Sequence, residues 1–295
     1  MNTRRFDVTA IGNAIVDVIA QAEDSLLTEH NLPKGAMNLI DAQTAEKLYS
    51  IMGPGKEASG GSAGNTIAGI AALGGKTAYI GKVAADQLGE VFTHDIRAVG
   101  VTYNTEPLVD GLPTARSLIF VTPDAQRTMQ TFLGATTQLG PEDVNMDYIT
   151  SSKVVYLEGY LWDQPRAKKA MRDAAIKAQE SGVKVSLTLS DSFCVARFRD
   201  EFLELAEKHV DILFANENEI LSLYQTDNFD TALQQVRRHC EIAALTRSEK
   251  GSVVINGDEV HIIDAVKGVK VVDTTGAGDA YTAGFHYAYT QGRDL

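Results

Sequence analysis

Cysteine and clusters of positive charge are scarce in this sequence. The two cysteines, Cys194 and Cys240, lie far apart and form no CxxC or Cys/His spacing, which argues against a disulfide framework and a zinc site. No basic run is longer than the pairs Arg4-Arg5 and Arg237-Arg238, and the formal net charge is −12. This charge balance argues against nucleic acid or an anionic membrane as a partner.

Long apolar segments are also missing. No stretch approaches the length of a membrane-spanning helix, and the N-terminus lacks the apolar region of a signal peptide. We therefore expect a cytoplasmic protein. Hydrophobic residues make up 44% of the 295 residues and charged residues 22%, which is typical of a globular chain with a sizeable core.

One stretch near the end of the chain, Val-Val-Asp-Thr-Thr-Gly-Ala-Gly-Asp at residues 271–279, concentrates glycine and polar residues. The apolar run ending at Val272 predicts a buried strand and the residues from 280 onward predict a helix, so the glycines fall in the turn between them. The start of a helix binds anions through its unpaired N–H groups and positive dipole end. We predict that a phosphate binds the amides of Gly276, Ala277 and Gly278. Asp279 suits a base that takes a proton from a hydroxyl.

The segment Asp-Thr-Thr-Gly-Ala-Gly-Asp resembles the C-terminal signature of the ribokinase-like family of carbohydrate and nucleoside kinases. In that family the last Asp is the catalytic base and the Gly-Ala-Gly amides form the anion hole, which implies the base role for Asp279. Several members also hold a monovalent cation here, so K⁺ is a candidate cofactor near Asp273 and Thr275. Without the resemblance, the glycines would make a tight turn and Asp279 would only favour the helix dipole.

Two other glycine patterns fail on spacing. Gly75-Lys76-Thr77 looks like the end of a P-loop, but Ile70 stands where that motif requires glycine. A dinucleotide-binding fingerprint over 276–281 fails because Tyr281 occupies the third glycine position. A dinucleotide-dependent oxidoreductase is therefore the weaker interpretation.

Two N-terminal stretches predict a substrate site. Asp17 lies in an apolar strand, where a carboxylate is costly to bury without a partner, and residues 59–65 place a glycine cluster before an Ala-rich helix. These stretches resemble the family's Gly-Asn-x-x-x-Asp and Gly-Gly-x-x-x-Asn motifs, which hold the sugar. The resemblance assigns substrate binding to Asn13, Asp17, Gly60, Gly61, Ser62 and Asn65.

Alternating segments at 34–40, 114–121 and 127–133 predict a small β-sheet apart from the main fold. In the family such a sheet is a lid that closes over the sugar and excludes water. We assign the lid to residues 13–40 and 110–134. Arg127, at the start of its last strand, could bring a guanidinium to the transferring phosphate, the alternative being a solvated Arg beside a turn.

From about residue 150, strands and helices alternate, which predicts a parallel sheet covered on both faces. The resemblance extends over most of the chain and implies one three-layer α/β/α ribokinase-like domain over residues 1–295, with a mostly parallel central sheet and the small β-sheet lid. Ligands of such sheets gather at the carboxyl ends of strands. Glu158 falls at one of these ends, and we expect it to face the crevice and accept a substrate hydroxyl.

Residues 216–219, Asn-Glu-Asn-Glu, resemble the family's Asn-x-x-Glu motif, which organises the nucleotide phosphates and Mg²⁺ largely through water. Residues 245–252 resemble its nucleotide loop, with Ser248 in place of a glycine. The resemblance assigns ATP binding to Asn216, Glu219, Thr246, Gly251 and Thr275, with Glu219 also serving Mg²⁺. Without it, the acids at 217 and 219 would be a charge bias at a helix start.

We therefore predict a kinase that transfers the γ-phosphate of ATP to a primary hydroxyl of a nucleoside, with adenosine as the first candidate. A sugar kinase for ribose, fructose or 2-keto-3-deoxygluconate is the alternative, and a non-catalytic ligand-binding member of the fold is a third. In the family another helical stretch follows the signature, so we expect the C-terminal helical end to be missing here. The pattern allows a monomer or a homodimer.

Overall fold

The computed structural model describes residues 4–124, 126–269, 274 and 276–294. These residues form two sheets and ten α-helices. The central sheet contains β1 (Phe6–Ile11), β5 (Thr77–Ile80), β6 (Thr102–Tyr103), β9 (Ser152–Glu158), β10 (Lys184–Thr188), β11 (Ile212–Asn216), β12 (Ile242–Thr246), β13 (Ser252–Asn256) and β14 (Glu259–Ile263). The small sheet contains β2 (Ile15–Gln21), β3 (Met37–Leu39), β4 (Lys56–Gly60), β7 (Ala115–Val121) and β8 (Arg127–Phe132).

The helices are mostly short connections between strands. They are α1 (Asp24–Glu29), α2 (Ala42–Ile51), α3 (Ser62–Ala72), α4 (Gln87–Ala98), α5 (Met146–Thr150), α6 (Pro165–Glu180), α7 (Ser192–His209), α8 (Glu217–Tyr224), α9 (Phe229–Val236) and α10 (Ala277–Thr290). In the described part of the chain, none of them has the length and apolar character needed to cross a membrane.

The central sheet is mostly parallel. Its strand order is β14-β13-β12-β11-β10-β9-β1-β5-β6, and only the pairs β12–β13 and β13–β14 are antiparallel. The parallel strands β1, β9, β10, β11 and β12 therefore end at one edge of the sheet. Loops that follow those ends can converge on one ligand site.

Helices cover both faces of this sheet and enclose two apolar cores. On one face, α5 to α9 pack around residues such as Trp162 and Phe202, whose ring centroids are 5.3 Å apart. On the other face, α3, α4 and α10 contribute Ile67, Phe92 and Ala283. The predicted three-layer α/β/α architecture with a mostly parallel sheet is confirmed.

The small sheet has the strand order β3-β8-β7-β2-β4. Its buried face carries Val16, Val18 and Leu118 into the second core, and Arg116 on that face pairs with Glu46 of α2. The predicted small sheet is confirmed, and β4 is an additional member, of which the sequence interpretation placed only residues 59 and 60, in a glycine cluster before a helix. Its short length and few apolar residues hide the strand signal.

Gly251 and Gly257 provide a matched pair for testing how tightly the hairpin β13–β14 is built. Both have positive φ, +81° and +56°, but a methyl group on Gly251 would lie 1.9 Å from Ile263 O, whereas one on Gly257 would meet no atom of the described residues within 4 Å. We expect Gly257→Ala to lower the free energy of unfolding by about 1 kcal/mol and Gly251→Ala by about 3 kcal/mol. Urea denaturation measures both, and equal losses would contradict this packing.

Candidate active site

Asp279 lies in the first turn of α10, at the edge where the parallel strands end. Its Oδ1 accepts a hydrogen bond from Ser62 Oγ (2.7 Å) and its Oδ2 accepts one from Asn65 Nδ2 (3.0 Å). The packing of α3 against α10 makes these contacts between residues that are 217 and 214 positions apart. The helix start and the glycine-rich substrate stretch, predicted separately from the sequence, thus form one site.

The environment of Asp279 acts on its protonation in two directions. Burial raises the pKa of its carboxyl above the ordinary value, while the hydrogen bonds from Ser62 and Asn65 lower it. A carboxylate in such a setting remains an acceptor but holds a proton more readily than an exposed Asp. That balance is the property required of a general base.

The turn before α10 is shaped by Gly276, which caps the helix with φ +71°. The amide of Ala277 donates to Thr274 O (3.1 Å), so this predicted anion-hole amide is engaged in the turn in this structure. Among the described residues, a methyl group on Gly278 would meet no atom within 4 Å outside the backbone of its own helix. Thr275, Asp273 and the predicted strand over Val271 and Val272 lie outside the described residues.

Asp17, on β2 of the small sheet, faces this site from the other side. Its Oδ2 would lie 2.6 Å from a Cβ on Gly60, so that position leaves room for no side chain. Burial raises the pKa of Asp17 to about 6, with Arg127 lowering it and Asp279 raising it. Arg127 and Asp279 are therefore both close enough to Asp17 for their charges to act on it.

Gly61, in the glycine cluster at residues 59–65, packs against the residues that follow β1. It caps α3 with φ +86°, and a Cβ there would lie 2.2 Å from Asn13 O. Only glycine satisfies both the backbone conformation and this close approach. The connection between β1 and β2 is thereby pressed against the start of α3, and Asn13 is brought beside Ser62 and Asn65.

Glu158 lies beneath the crevice, contrary to the expectation that it faces a substrate hydroxyl. It is 1% exposed because α3 and the connection between β1 and β2 cover it. Its Oε1 accepts from Asn13 N (3.3 Å) and Asn13 Nδ2 (2.7 Å), and its Oε2 accepts from Ala63 N (2.8 Å). Burial raises the pKa of Glu158 to about 7, and the nearby Asp279 adds to that shift.

The predicted nucleotide residues form a second group farther along the same edge. Asn216 ends β11, and it pairs in register with Thr246, which ends β12. Asn216 and Glu219 form a reciprocal helix cap, in which Glu219 N donates to Asn216 Oδ1 (2.9 Å) and Asn216 N donates to Glu219 Oε2 (2.9 Å). Burial raises the pKa of Glu219 to about 7.

The loop after β12 has the geometry of its predicted motif despite the change of residue. Ser248 adopts φ +52°, so the left-handed conformation is kept although serine replaces glycine. Gly251 has φ +81° and ends the turn, with Gly251 N donating to Ser248 O (3.1 Å). Arg247 and Lys250 in the same loop pair with Glu217 at 2.9 Å and 3.4 Å.

A metal role for Glu219 finds only indirect support in the geometry. Among the described residues, no group of three or more His, Cys, Asp or Glu side chains could hold a metal ion. Asn216 also donates from Nδ2 to Glu219 Oε1 (2.6 Å), so both carboxylate oxygens already accept hydrogen bonds. Mg²⁺ retains several waters when it binds with phosphates, so Glu219 fits contacts through water better than direct coordination.

The face of the small sheet that carries Asp17 was missed by the sequence interpretation. The strand registers place Leu39 in the same row as Asp17, and Ile19, Ile119, Met129 and Met37 in the next row. Met37 and Leu39 are 45% and 55% exposed. Alternation in these strands predicts which residues share a face, but only the pairing of five distant segments brings these apolar side chains together next to Asp17, in rows that also contain Ser117, Thr131 and Lys56.

Comparison with known proteins points to one family of enzymes. Residues 7–295 match the pfkB family of carbohydrate kinases. The adenosine kinase of Sinorhizobium meliloti is 60% identical, with a TM-score of 0.91 and coverage of 99% of this chain and 89% of that one. A probable sugar kinase from Rhizobium etli CFN 42 is 58% identical, with a TM-score of 0.92 and the same 99% and 89% coverage. The adenosine kinase of Saccharomyces cerevisiae is 26% identical over an alignment of 317 positions, which covers 98% of this chain and 90% of that protein.

The pKa of Asp17 leads to a pH-dependent stability. Because burial raises this pKa from 3.8 to about 6, protonated Asp17 favours the folded state, and its contribution is lost as the pH rises through about 6. Relative to Asp17→Asn, the wild type should lose about 2 kcal/mol of unfolding free energy between pH 4 and pH 7, allowing for partial exposure. Urea denaturation without substrate measures this difference. The control is Asp227→Asn, an exposed acid far from the site, and a constant gap between Asp17→Asn and wild type would contradict the prediction.

Proposed function

The chain belongs to the pfkB family of carbohydrate kinases, and we propose that it phosphorylates a primary hydroxyl of a nucleoside with ATP, converting adenosine to AMP. The enzyme class, a phosphotransferase with an alcohol acceptor, follows from the family and from adenosine kinases at 60% and 26% identity. The observation that carries the proposal is the pair of facing carboxylates. Asp279 lies at a helix start and Asp17 lies on the small sheet. They are close enough for the negative charge of Asp279 to raise the pKa of Asp17.

In the proposed reaction Asp279 is the base. A substrate hydroxyl that approaches its carboxylate gives up its proton as the oxygen bonds to the γ-phosphorus in line, while the bond from that phosphorus to the oxygen of the β-phosphate breaks and ADP leaves. Ser62 and Asn65 hold the carboxylate in place, and burial makes it a better proton acceptor. The positive end of α10 and the guanidinium of Arg127 stabilise the negative charge that develops in the transition state. A well-placed hydrogen-bond donor typically lowers the activation free energy by ~3 kcal/mol.

Asp17, Gly61 and Asn65 are proposed to hold the sugar hydroxyls. Asp17 is a half-buried acceptor with a raised pKa, and vicinal hydroxyls could donate to it in place of the water that burial removed. Asn13 contributes to the same wall through its contact with Gly61. The role of Glu158 as a direct hydroxyl acceptor is not carried forward, because its oxygens are used inside the protein.

The apolar face beside Asp17 favours a nucleoside over a free sugar. Met37, Leu39 and Met129 lie on the same face of the small sheet as Asp17, and in the proposed complex the group attached to a sugar held by Asp17 covers them. A nucleobase can cover such a surface, and burying ~100 Å² of apolar area contributes about 2.5 kcal/mol. The 58% identity to a probable sugar kinase keeps a sugar such as ribose or fructose as the alternative acceptor.

ATP is proposed to bind along the other part of the edge, at Asn216, Thr246 and Gly251. Arg247 and Lys250 share the one carboxylate of Glu217 there, so these three side chains together carry one net positive charge in a protein whose net charge is −12. Glu219 would hold Mg²⁺ through the water shell of the ion, which would supply positive charge beside the phosphates. We place the reaction in the cytoplasm, as a step that salvages purine nucleosides.

Asp279→Asn tests the base. The amide can donate to Ser62 Oγ and accept from Asn65 Nδ2, so both hydrogen bonds and the fold should be kept, while the ability to take a proton is lost. We expect turnover to fall by about 10²- to 10⁴-fold with little change in melting temperature. ADP release from ATP and Mg²⁺ measures turnover with adenosine, ribose and fructose offered separately. Equal activity in the variant would remove Asp279 from the base role, and release with only a free sugar would move the substrate assignment.

Met37→Ser tests the nucleobase surface, with Ile176→Ser as a matched control. Met37 is 45% exposed on β3, and Ile176 is 43% exposed on the outer side of α6. We expect Met37→Ser to raise the KM for adenosine about five- to tenfold, because apolar contact with the base is lost, and to leave the KM for ATP unchanged. Ile176→Ser should change neither value. An unchanged KM for adenosine in Met37→Ser would mean that the base does not cover this face.

A further inference from the structure

The start of α3 lacks an ordinary helix cap. Its N-cap residue is Gly61, which has no side chain to accept a hydrogen bond from the first turn. The Glu158 carboxylate accepts the bond from Ala63 N instead, although it belongs to β9 and lies 95 residues away in the sequence. A negative charge at a helix start is also favoured by the helix dipole. Glu158 thus caps α3 from the central sheet.

The capped turn is the one that holds the proposed base. Ser62 is the first residue of α3 and Asn65 is the fourth, and together they donate to both carboxylate oxygens of Asp279. A displacement of this turn would move both donors at once. The path from Glu158 to Asp279 therefore consists of one hydrogen bond, one helical turn and two further hydrogen bonds.

The other oxygen of Glu158 is joined to the substrate side of the site. It accepts from both the backbone N and the side-chain Nδ2 of Asn13, in the connection between β1 and β2. Gly12 leaves room for this arrangement, since a methyl group there would lie 2.6 Å from Glu158 Oε2 and 2.5 Å from Ala63 Cβ. One buried carboxylate thus sets the distance between the connection that contains Asn13 and the start of α3.

We propose that Glu158 is a positioning residue for phosphoryl transfer, which fixes the first turn of α3 so that Ser62 and Asn65 hold Asp279 against the substrate hydroxyl. The inference rests on the proposed function, in which Asp279 is the base. It assigns Glu158 to the reaction without contact with substrate, because its side chain is 1% exposed and its oxygens accept three N–H groups of the protein.

Glu158→Gln is the first variant, because it keeps the size of the side chain but replaces one of its two hydrogen-bond acceptors with a donor. The carboxylate presents acceptors to Asn13 on one side and to Ala63 on the other, whereas an amide presents an acceptor on one side only. We expect kcat to fall about 10- to 100-fold as the donors to Asp279 lose their position, with the KM for ATP unchanged.

A matched control separates positioning from stability. Asp7 is also a buried acid on the central sheet, 8% exposed, and its Oδ2 accepts from Lys76 N (2.8 Å), but it lies at the opposite end of β1. Asp7→Asn should lower the melting temperature and leave kcat unchanged. A Glu158→Gln variant that behaves in the same way would overturn the proposal.

A double-mutant cycle with Ser62→Ala tests the path itself. If Glu158 acts through the first turn of α3, its substitution should reduce kcat much less in the Ser62→Ala background than in the wild type. If the fold losses in kcat of the two single variants multiply in the double variant, the proposal is overturned.

If Glu158→Gln does not fold, the comparison of Ser62→Ala with Ser62→Thr decides. The proposal requires that Ser62→Ala lowers kcat and that Ser62→Thr, which retains the hydroxyl, restores it. A wild type that phosphorylates none of the offered acceptors would overturn the proposed function as well, whereas an active wild type with an unaffected Ser62→Ala overturns only this inference.

Discussion

Three carboxylates meet at one edge of the central sheet, and the cost of removing them from water is the constraint on which the site depends. Asp17, Glu158 and Asp279 all have pKa values raised above the ordinary range, with burial as the first cause in each. Neutral donors offset much of that cost for Glu158 and Asp279, and Arg127 contributes positive charge near Asp17. In the proposed function this state suits Asp279 for proton transfer and Asp17 for binding hydroxyls, whereas the oxygens of Glu158 are used inside the protein.

The same constraint explains the glycines around the site. A carboxylate can be buried close to backbone donors only where neighbouring segments of the chain approach closely. Gly12, Gly60 and Gly61 lie at such close approaches. Gly61 also needs its positive φ to turn the chain from β4 into α3. The glycine-rich stretch is thus a packing element, and in the proposed function the same close approach makes it a binding element.

Much of the architecture and chemistry could be predicted from local patterns. The strand-helix alternation after residue 150 predicted the parallel sheet, and the glycine turn before α10 predicted the helix start that carries Asp279. These features depend on residues close together in sequence. The position of Glu158 could not be predicted this way, because a polar residue at a strand end can face the crevice or turn beneath it. Its direction depends on what covers that strand.

The sequence by itself determined the family resemblance, the order of strands and helices, and the residue types that can hold a phosphate, a hydroxyl or a proton. The tertiary structure alone decided which of these residues touch. Asp279 meets Ser62 and Asn65 across 217 and 214 positions, and the apolar face beside Asp17 exists only when five separate strands pair in register. Short-range patterns record backbone preference and burial, whereas the bonds between distant side chains arise from how whole faces pack against one another.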